Sequence, residues 1–144
     1  MPVLGQLSTP SCGGKLSEQR RPTRVLHFVT GGFSGATQVA VHLCQPGSHT
    51  QDIQCLLVLR RKRTTDPARI EQLRAQGIEV EVVPGWSHAA TIWSLVRLAW
   101  RWRPDVLVAH GFPEHLLGRW AGRWAKVDRL IHVEHNSRER YGPW

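Results

Sequence analysis

A chain of 144 residues holds one domain at most, and 41% hydrophobic residues suffice to build its core. The formal charge of +8 favours anionic partners: phosphates, nucleic acid or acidic lipid headgroups. No apolar run approaches the ~20 residues of a membrane-spanning helix, and the N-terminus lacks the basic start and apolar stretch of a secretory signal.

Residues 1–23 carry Gly5, Pro10, Gly13, Gly14 and Pro22 without a periodic apolar pattern, and are expected to form a disordered leader or to come from an upstream start site. The domain is expected to occupy residues 24–144. Its first strand, Arg24–Thr30, runs into a glycine-rich turn with Gly31, Gly32 and Gly35. A helix follows over about Gly35–Cys44, with Ala36, Val39, Ala40 and Leu43 expected to face inward. The second strand, Ile53–Leu59, is continuously apolar, as suits a strand buried on both faces of a parallel sheet. The basic run Arg60–Arg63 follows it and reads as a solvated loop. Asp66-Pro67 starts a helix that Gly77 ends. In the third strand, Ile78–Val83, glutamates alternate with apolar residues, which predicts a half-exposed strand near a sheet edge.

Ser87 caps a helix running to about Arg103, with Pro104 beyond it. Its apolar arc is wider than one sheet contact needs, which predicts packing on the sheet and against a neighbour. The alternative is a Trp/Arg surface at a lipid headgroup boundary. The tryptophans recur at helical spacing, so core packing is expected for most of them. Asp105–Ala109 forms the fourth strand, ending in His110-Gly111. The helix from Pro113 carries Gly118 and Gly122, which permit close backbone approach. The fifth strand, Arg129–Glu134, ends in His135-Asn136-Ser137. Cys12, Cys44 and Cys55 are widely spaced and form no metal-ligand motif with each other or with histidine; Cys44 and Cys55 read as small buried residues in a reducing compartment.

Five strands alternating with four helices predict an α/β fold: a Rossmann-like parallel sheet of about five or more strands with helices on both faces. Ligands of such sheets bind beyond the C-terminal strand ends. That rim should gather Gly31, Gly32, Ser34, Gly35, Arg60 to Arg63, His110, Gly111, Glu134, His135, Asn136, Arg138 and Arg140. A glycine turn, two histidines, a carboxylate and cations suit a phosphorylated or sugar ligand with acid/base chemistry. His27 and His132 lie inside strands and read as structural. His115 and Glu114 open a helix on the same rim. The turn reads G-G-F-S-G rather than G-x-G-x-x-G, and the second strand ends in basic residues where a dinucleotide fold places an acid.

Three segments carry a family resemblance. Ser34-Gly35-Ala36-Thr37-Gln38 after the first strand resembles the start of the N-terminal domain of family-4-like GT-B glycosyltransferases. Arg103-Pro104-Asp105-Val106-Leu107-Val108-Ala109-His110-Gly111 resembles that domain's R-P-D strand ending in His. Leu130-Ile131-His132-Val133-Glu134-His135-Asn136 resembles its E-H-N strand end. The resemblance implies a single GT-B half, the acceptor side of an enzyme that moves a sugar from a nucleotide-diphosphate sugar to a sugar or lipid-linked acceptor. It implies donor-phosphate contact at Gly32 and Gly35, His135 and then His110 near the transferred sugar, and acceptor contacts at Glu134, Asn136, Arg138 and Arg140. It implies no metal and no organic cofactor. The expected setting is cytoplasmic envelope polysaccharide or glycolipid synthesis, with peripheral contact to anionic membrane and no nucleic acid. Gln38 departs from the family's acidic residue. The family's C-terminal donor domain, with its E-x7-E motif, is expected from a separate segment or chain, and the 144 residues alone are expected to be inactive. The alternative reading is an NADP- or phosphate-binding Rossmann module.

Overall fold

The computed structural model describes residues 20–135. Nine elements alternate along it: β1 (Thr23–Thr30), α1 (Gly35–Cys44), β2 (Ile53–Arg60), α2 (Pro67–Ala75), β3 (Val80–Val83), α3 (His88–Trp102), β4 (Val106–His110), α4 (Glu114–Trp124) and β5 (Arg129–Val133). The strands form one parallel sheet in the order β3-β2-β1-β4-β5. The predicted α/β architecture is the observed one, and β3 lies at a sheet edge. The winding reverses between β1 and β4, where Phe28 of β1 pairs with Val58 of β2 on one side and Ala109 of β4 on the other. In open α/β sheets the ligand crevice forms at such a switch point.

Local chemistry sets the helix boundaries. The Asp66 carboxylate accepts from the Ala68 N–H at 2.9 Å, and Pro67 occupies the first turn of α2, where a missing N–H costs nothing. Gly77, at φ +86°, stops that helix in the left-handed region that favours glycine. Before β1, Arg21 pairs with Asp105 at 2.6 Å.

Alternation along the strands divides the core in two. Leu26, Phe28, Leu56, Val58, Leu107 and Ala109 meet Leu95 and Val96 of α3 and Leu117 and Ala121 of α4. On the opposite face, Val29, Leu57 and Leu59 meet Ala40 and Val41 of α1 and Ile70 and Leu73 of α2. Added Cβ atoms at Gly118 and Gly122 would stand 3.0 Å from the Ala109 side chain and 2.3 Å from Leu130, so both glycines let α4 lie close on β4 and β5.

Two packing expectations are corrected. The inward face of α1 is Thr37, Ala40, Val41 and Cys44, while Val39 and Leu43 are more than 40% exposed. Thr37 is drawn in because its hydroxyl donates to the Thr30 carbonyl at 2.9 Å. The tryptophans are mostly outside the core. Trp93, Trp100, Trp120 and Trp124 are each half-exposed, and among the described tryptophans only Trp102 of α3 packs on the core, with Arg24 over its ring. Helix α3 does pack on the sheet and against α4, but Leu95, Val96 and Leu98 are its residues in that core, and the larger rings stay at the margin.

Candidate functional site

The C-terminal ends of β1 and β4 open into a cleft of about 450 Å³, lined by Thr30, Ser34, Gly35, His110, Glu114 and His135, among others. One wall is the start of α1. Ser34 precedes that helix without a side-chain capping bond, so the first-turn N–H groups remain available to an anion. Gly35 is exposed, and a Cβ there would meet nothing within 4 Å. Gly31 and Gly32 behave differently. Gly31 is buried against β2, where an added Cβ would lie 2.6 Å from the Arg60 carbonyl oxygen. An added Cβ at Gly32 would lie 3.7 to 3.8 Å from Thr64, Lys62 and Thr30, and Gly32 itself does not line the cleft. The left-handed residue of the turn is Phe33, at φ 52°, held in place by packing under the Arg69 guanidinium at 4.6 Å.

The second wall carries a line of imidazoles. His27 Nδ1 lies 3.0 Å from His110 Nε2, and His110 Nδ1 lies 3.0 Å from His135 Nε2. His27 and His110 are buried, and His135 reaches the cleft. Burial, followed by the nearby His27, His135 and His132, pushes His110 down to about 4, so its ring is neutral at physiological pH. A neutral ring has one N–H. His110 therefore donates to one neighbour and accepts from the other, and the line has a direction. When His135 donates inward, its Nδ1 lone pair is free to take a proton; when it accepts, its Nδ1–H is a donor.

Glu114, the first residue of α4, sits 2% exposed at the cleft. Its Oε1 is 3.6 Å from Arg60 Nε, which reaches across from the end of β2. Neither Glu114 Oε1 nor Arg60 Nε and Nη1 has a hydrogen-bond partner among the described residues. Arg60 thus departs from the expected solvated loop: its side chain is only 12% exposed, turned inward by the carboxylate. Arg61, Lys62 and Arg63 are exposed.

Of the expected site residues, Gly35, His110, Glu134 and His135 come together in the cleft, and Gly32 does not line it. Asn136, Arg138 and Arg140 lie outside the described residues. His27 passes for structural in the sequence because its link to His110 requires β1 and β4 to be neighbours across 83 positions. Behind the cleft, on the α1 side, Cys44 and Cys55 also meet His27. The hydrogen bond from Cys44 lowers the Cys55 thiol to about 5, against burial and with help from His27, while that shared bond and burial push Cys44 well up. Within the described residues, no helix is long and apolar enough to cross a membrane.

This fold is that of one Rossmann-like half of the GT-B architecture. Among solved structures, the UDP-GlcNAc 2-epimerase of Neisseria meningitidis bound to UDP-GlcNAc matches 81% of this chain, with TM-score 0.59 and 17% identity. The lipopolysaccharide outer core galactosyltransferase WaaB matches over 78%, with TM-score 0.58 and 15% identity. MurG of Acinetobacter baumannii matches over 80%, with TM-score 0.52 and 21% identity. The chain spans about a third of each of these proteins: 33%, 34% and 35%. No protein-family model and no curated protein matches the chain.

Proposed function

We propose that this chain is the acceptor-side half of a glycosyltransferase, forming one wall of a nucleotide-sugar transfer cleft. The supporting observation is the convergence, at the switch point of the sheet, of an open helix start at Gly35 with the His27–His110–His135 line and the buried Glu114–Arg60 pair. The helix start suits a donor pyrophosphate. His135, hydrogen-bonded to His110, suits proton removal from an acceptor hydroxyl, because donating its Nε2–H inward leaves its Nδ1 lone pair free to take the proton. Glu134 at the cleft mouth suits an acceptor hydroxyl. The opposite wall would come from a second Rossmann-like half, and the chain alone would not transfer sugar. Acceptors on an anionic membrane surface suit the Trp and Arg residues exposed on α3 and α4.

The NADP reading loses support because Arg60, the cation at the end of β2, is committed to Glu114. Calorimetric titration with UDP-GlcNAc and with NADPH separates the two. Binding of the nucleotide sugar, weakened by His135→Ala and by Gly35→Val, supports the transfer cleft. Saturable NADPH binding without nucleotide-sugar binding refutes it, as does sugar transfer by the purified chain alone for the claim of inactivity.

A further inference from the structure

Three soft ligands from separate elements meet behind the cleft. His27 comes from the middle of β1, Cys44 from the last turn of α1 and Cys55 from β2. One donor atom of each lies within 4.8 Å of the other two. His27 and Cys44 are each 5% exposed, and Cys55 is partly buried. The three converge because β1 and β2 pair in register, Val25 opposite Cys55 and His27 opposite Leu57, while α1 ends over that same sheet face. Two sulfurs and an imidazole select a borderline-soft cation over magnesium or calcium, whose shells are built from oxygen.

We propose that His27, Cys44 and Cys55 form a zinc-binding site. Tetrahedral zinc, with Zn–S near 2.3 Å, would hold the sulfurs roughly 3.8 Å apart, which the cluster reaches by a contraction of at most about an ångström. The thiol protons leave to solvent on binding, and two thiolates with Zn²⁺ make a neutral set, suited to a buried position. The outer partner of a metal-bound histidine is already present: His27 Nδ1 is 3.0 Å from His110 Nε2. With Nδ1 so engaged, zinc takes Nε2.

The site is coupled to the cleft by lone-pair bookkeeping alone. Zinc on His27 Nε2 requires the proton on Nδ1, which donates to His110 Nε2. His110 then carries its proton on Nδ1 and donates to His135 Nε2. His135 is left with Nδ1–H toward the cleft. Zinc would turn His135 from a proton acceptor into a hydrogen-bond donor, with no movement of the chain.

The test is anaerobic titration of the freshly reduced full chain with Co²⁺. The expected result is one equivalent bound, with a thiolate-to-cobalt charge-transfer band and the visible bands of a tetrahedral ion, bleached by an equivalent of Zn²⁺. Cys12→Ser keeps this spectrum. Cys55→Ser and His27→Gln each weaken zinc, by competition with a chromogenic chelator, by more than about tenfold. A wild-type spectrum without the thiolate band overturns the site, whether or not any variant folds. So does full zinc affinity in folded Cys55→Ser, with circular dichroism as the check on folding. Nitrogen-15 histidine spectra test the coupling: zinc shifts His135 to its Nδ1–H tautomer, and an unchanged tautomer in the zinc-bound protein refutes it. None of these readouts depends on sugar chemistry.

Discussion

Glu114 and Arg60 are legible in the sequence only as a rim carboxylate and the first member of a basic run. The fold makes them a buried ion pair whose facing atoms, 3.6 Å apart, bond to nothing else among the described residues. Desolvating both charges is costly, and their attraction at that distance offsets only part of it. Removing one partner is worse, because the other charge is then buried alone. We predict that Glu114→Ala lowers unfolding stability by about 3 kcal/mol in urea denaturation, and that the double change Arg60→Met, Glu114→Leu recovers most of the loss. A double variant as unstable as the single one would mean that the pair holds α4 in place through something other than charge. Recovery by the double variant means that the pair is kept for the cleft, where a polar ligand supplies the missing hydrogen bonds, rather than for the stability of the sheet.

At the scale of elements, the turn after β1 shows how far a glycine pattern can be read. The sequence marks three glycines at a strand end, and the structure gives each a different task. Gly31 is needed for close approach: its N–H donates to the Arg60 carbonyl at 2.8 Å, and a Cβ would stand 2.6 Å from both that oxygen and Thr65 Oγ1. Gly35 is not needed by the fold, since its added Cβ meets open space. We predict that Gly31→Ala costs about 2 kcal/mol by prising the β1 turn from β2, whereas Gly35→Ala changes stability by less than about 0.5 kcal/mol. Thermal and urea unfolding of the two single variants decide it, and equal losses would contradict the division. Periodicity identified the strands, the helices and the edge position of β3, because those follow from local pattern. It misassigned the inner face of α1, where Val39 and Leu43 are the more apolar residues. Burial there follows Thr37 and Cys44, which find a backbone carbonyl and the Cys55 sulfur beneath them.

Across the whole molecule, what the sequence conceals is adjacency. The β-α alternation implied a parallel sheet, but only the order β3-β2-β1-β4-β5 sets β1 between β2 and β4. That placement joins His27 to His110 on one side and to Cys55 on the other. The same limit applies to the surface. Helical spacing of tryptophan reads equally well as core or as margin until the partners of α3 and α4 are known. Each helix spends its small and aliphatic residues on the sheet and on the other helix, so Trp93, Trp100, Trp120 and Trp124 remain half-exposed beside Arg97, Arg101, Arg119 and Arg123. Indole rings settle at the headgroup boundary, and guanidinium groups meet lipid phosphates there. Of these arginines, Arg101 pairs with Glu81 through an exposed contact that lipid phosphate could displace. With a chain charge of +8, we predict co-sedimentation with phosphatidylglycerol vesicles and none with phosphatidylcholine vesicles. Attraction of this kind is screened over about 10 Å at 0.1 M salt and about 3 Å at 1 M, so binding should fall steeply between those concentrations. Charge alone would give the same salt response, so the tryptophans are tested separately. Trp93→Ser with Trp120→Ser should weaken binding at fixed salt while leaving the net charge unchanged. Equal binding by that double variant would assign the effect to the basic surface and leave the indole rings without a membrane role.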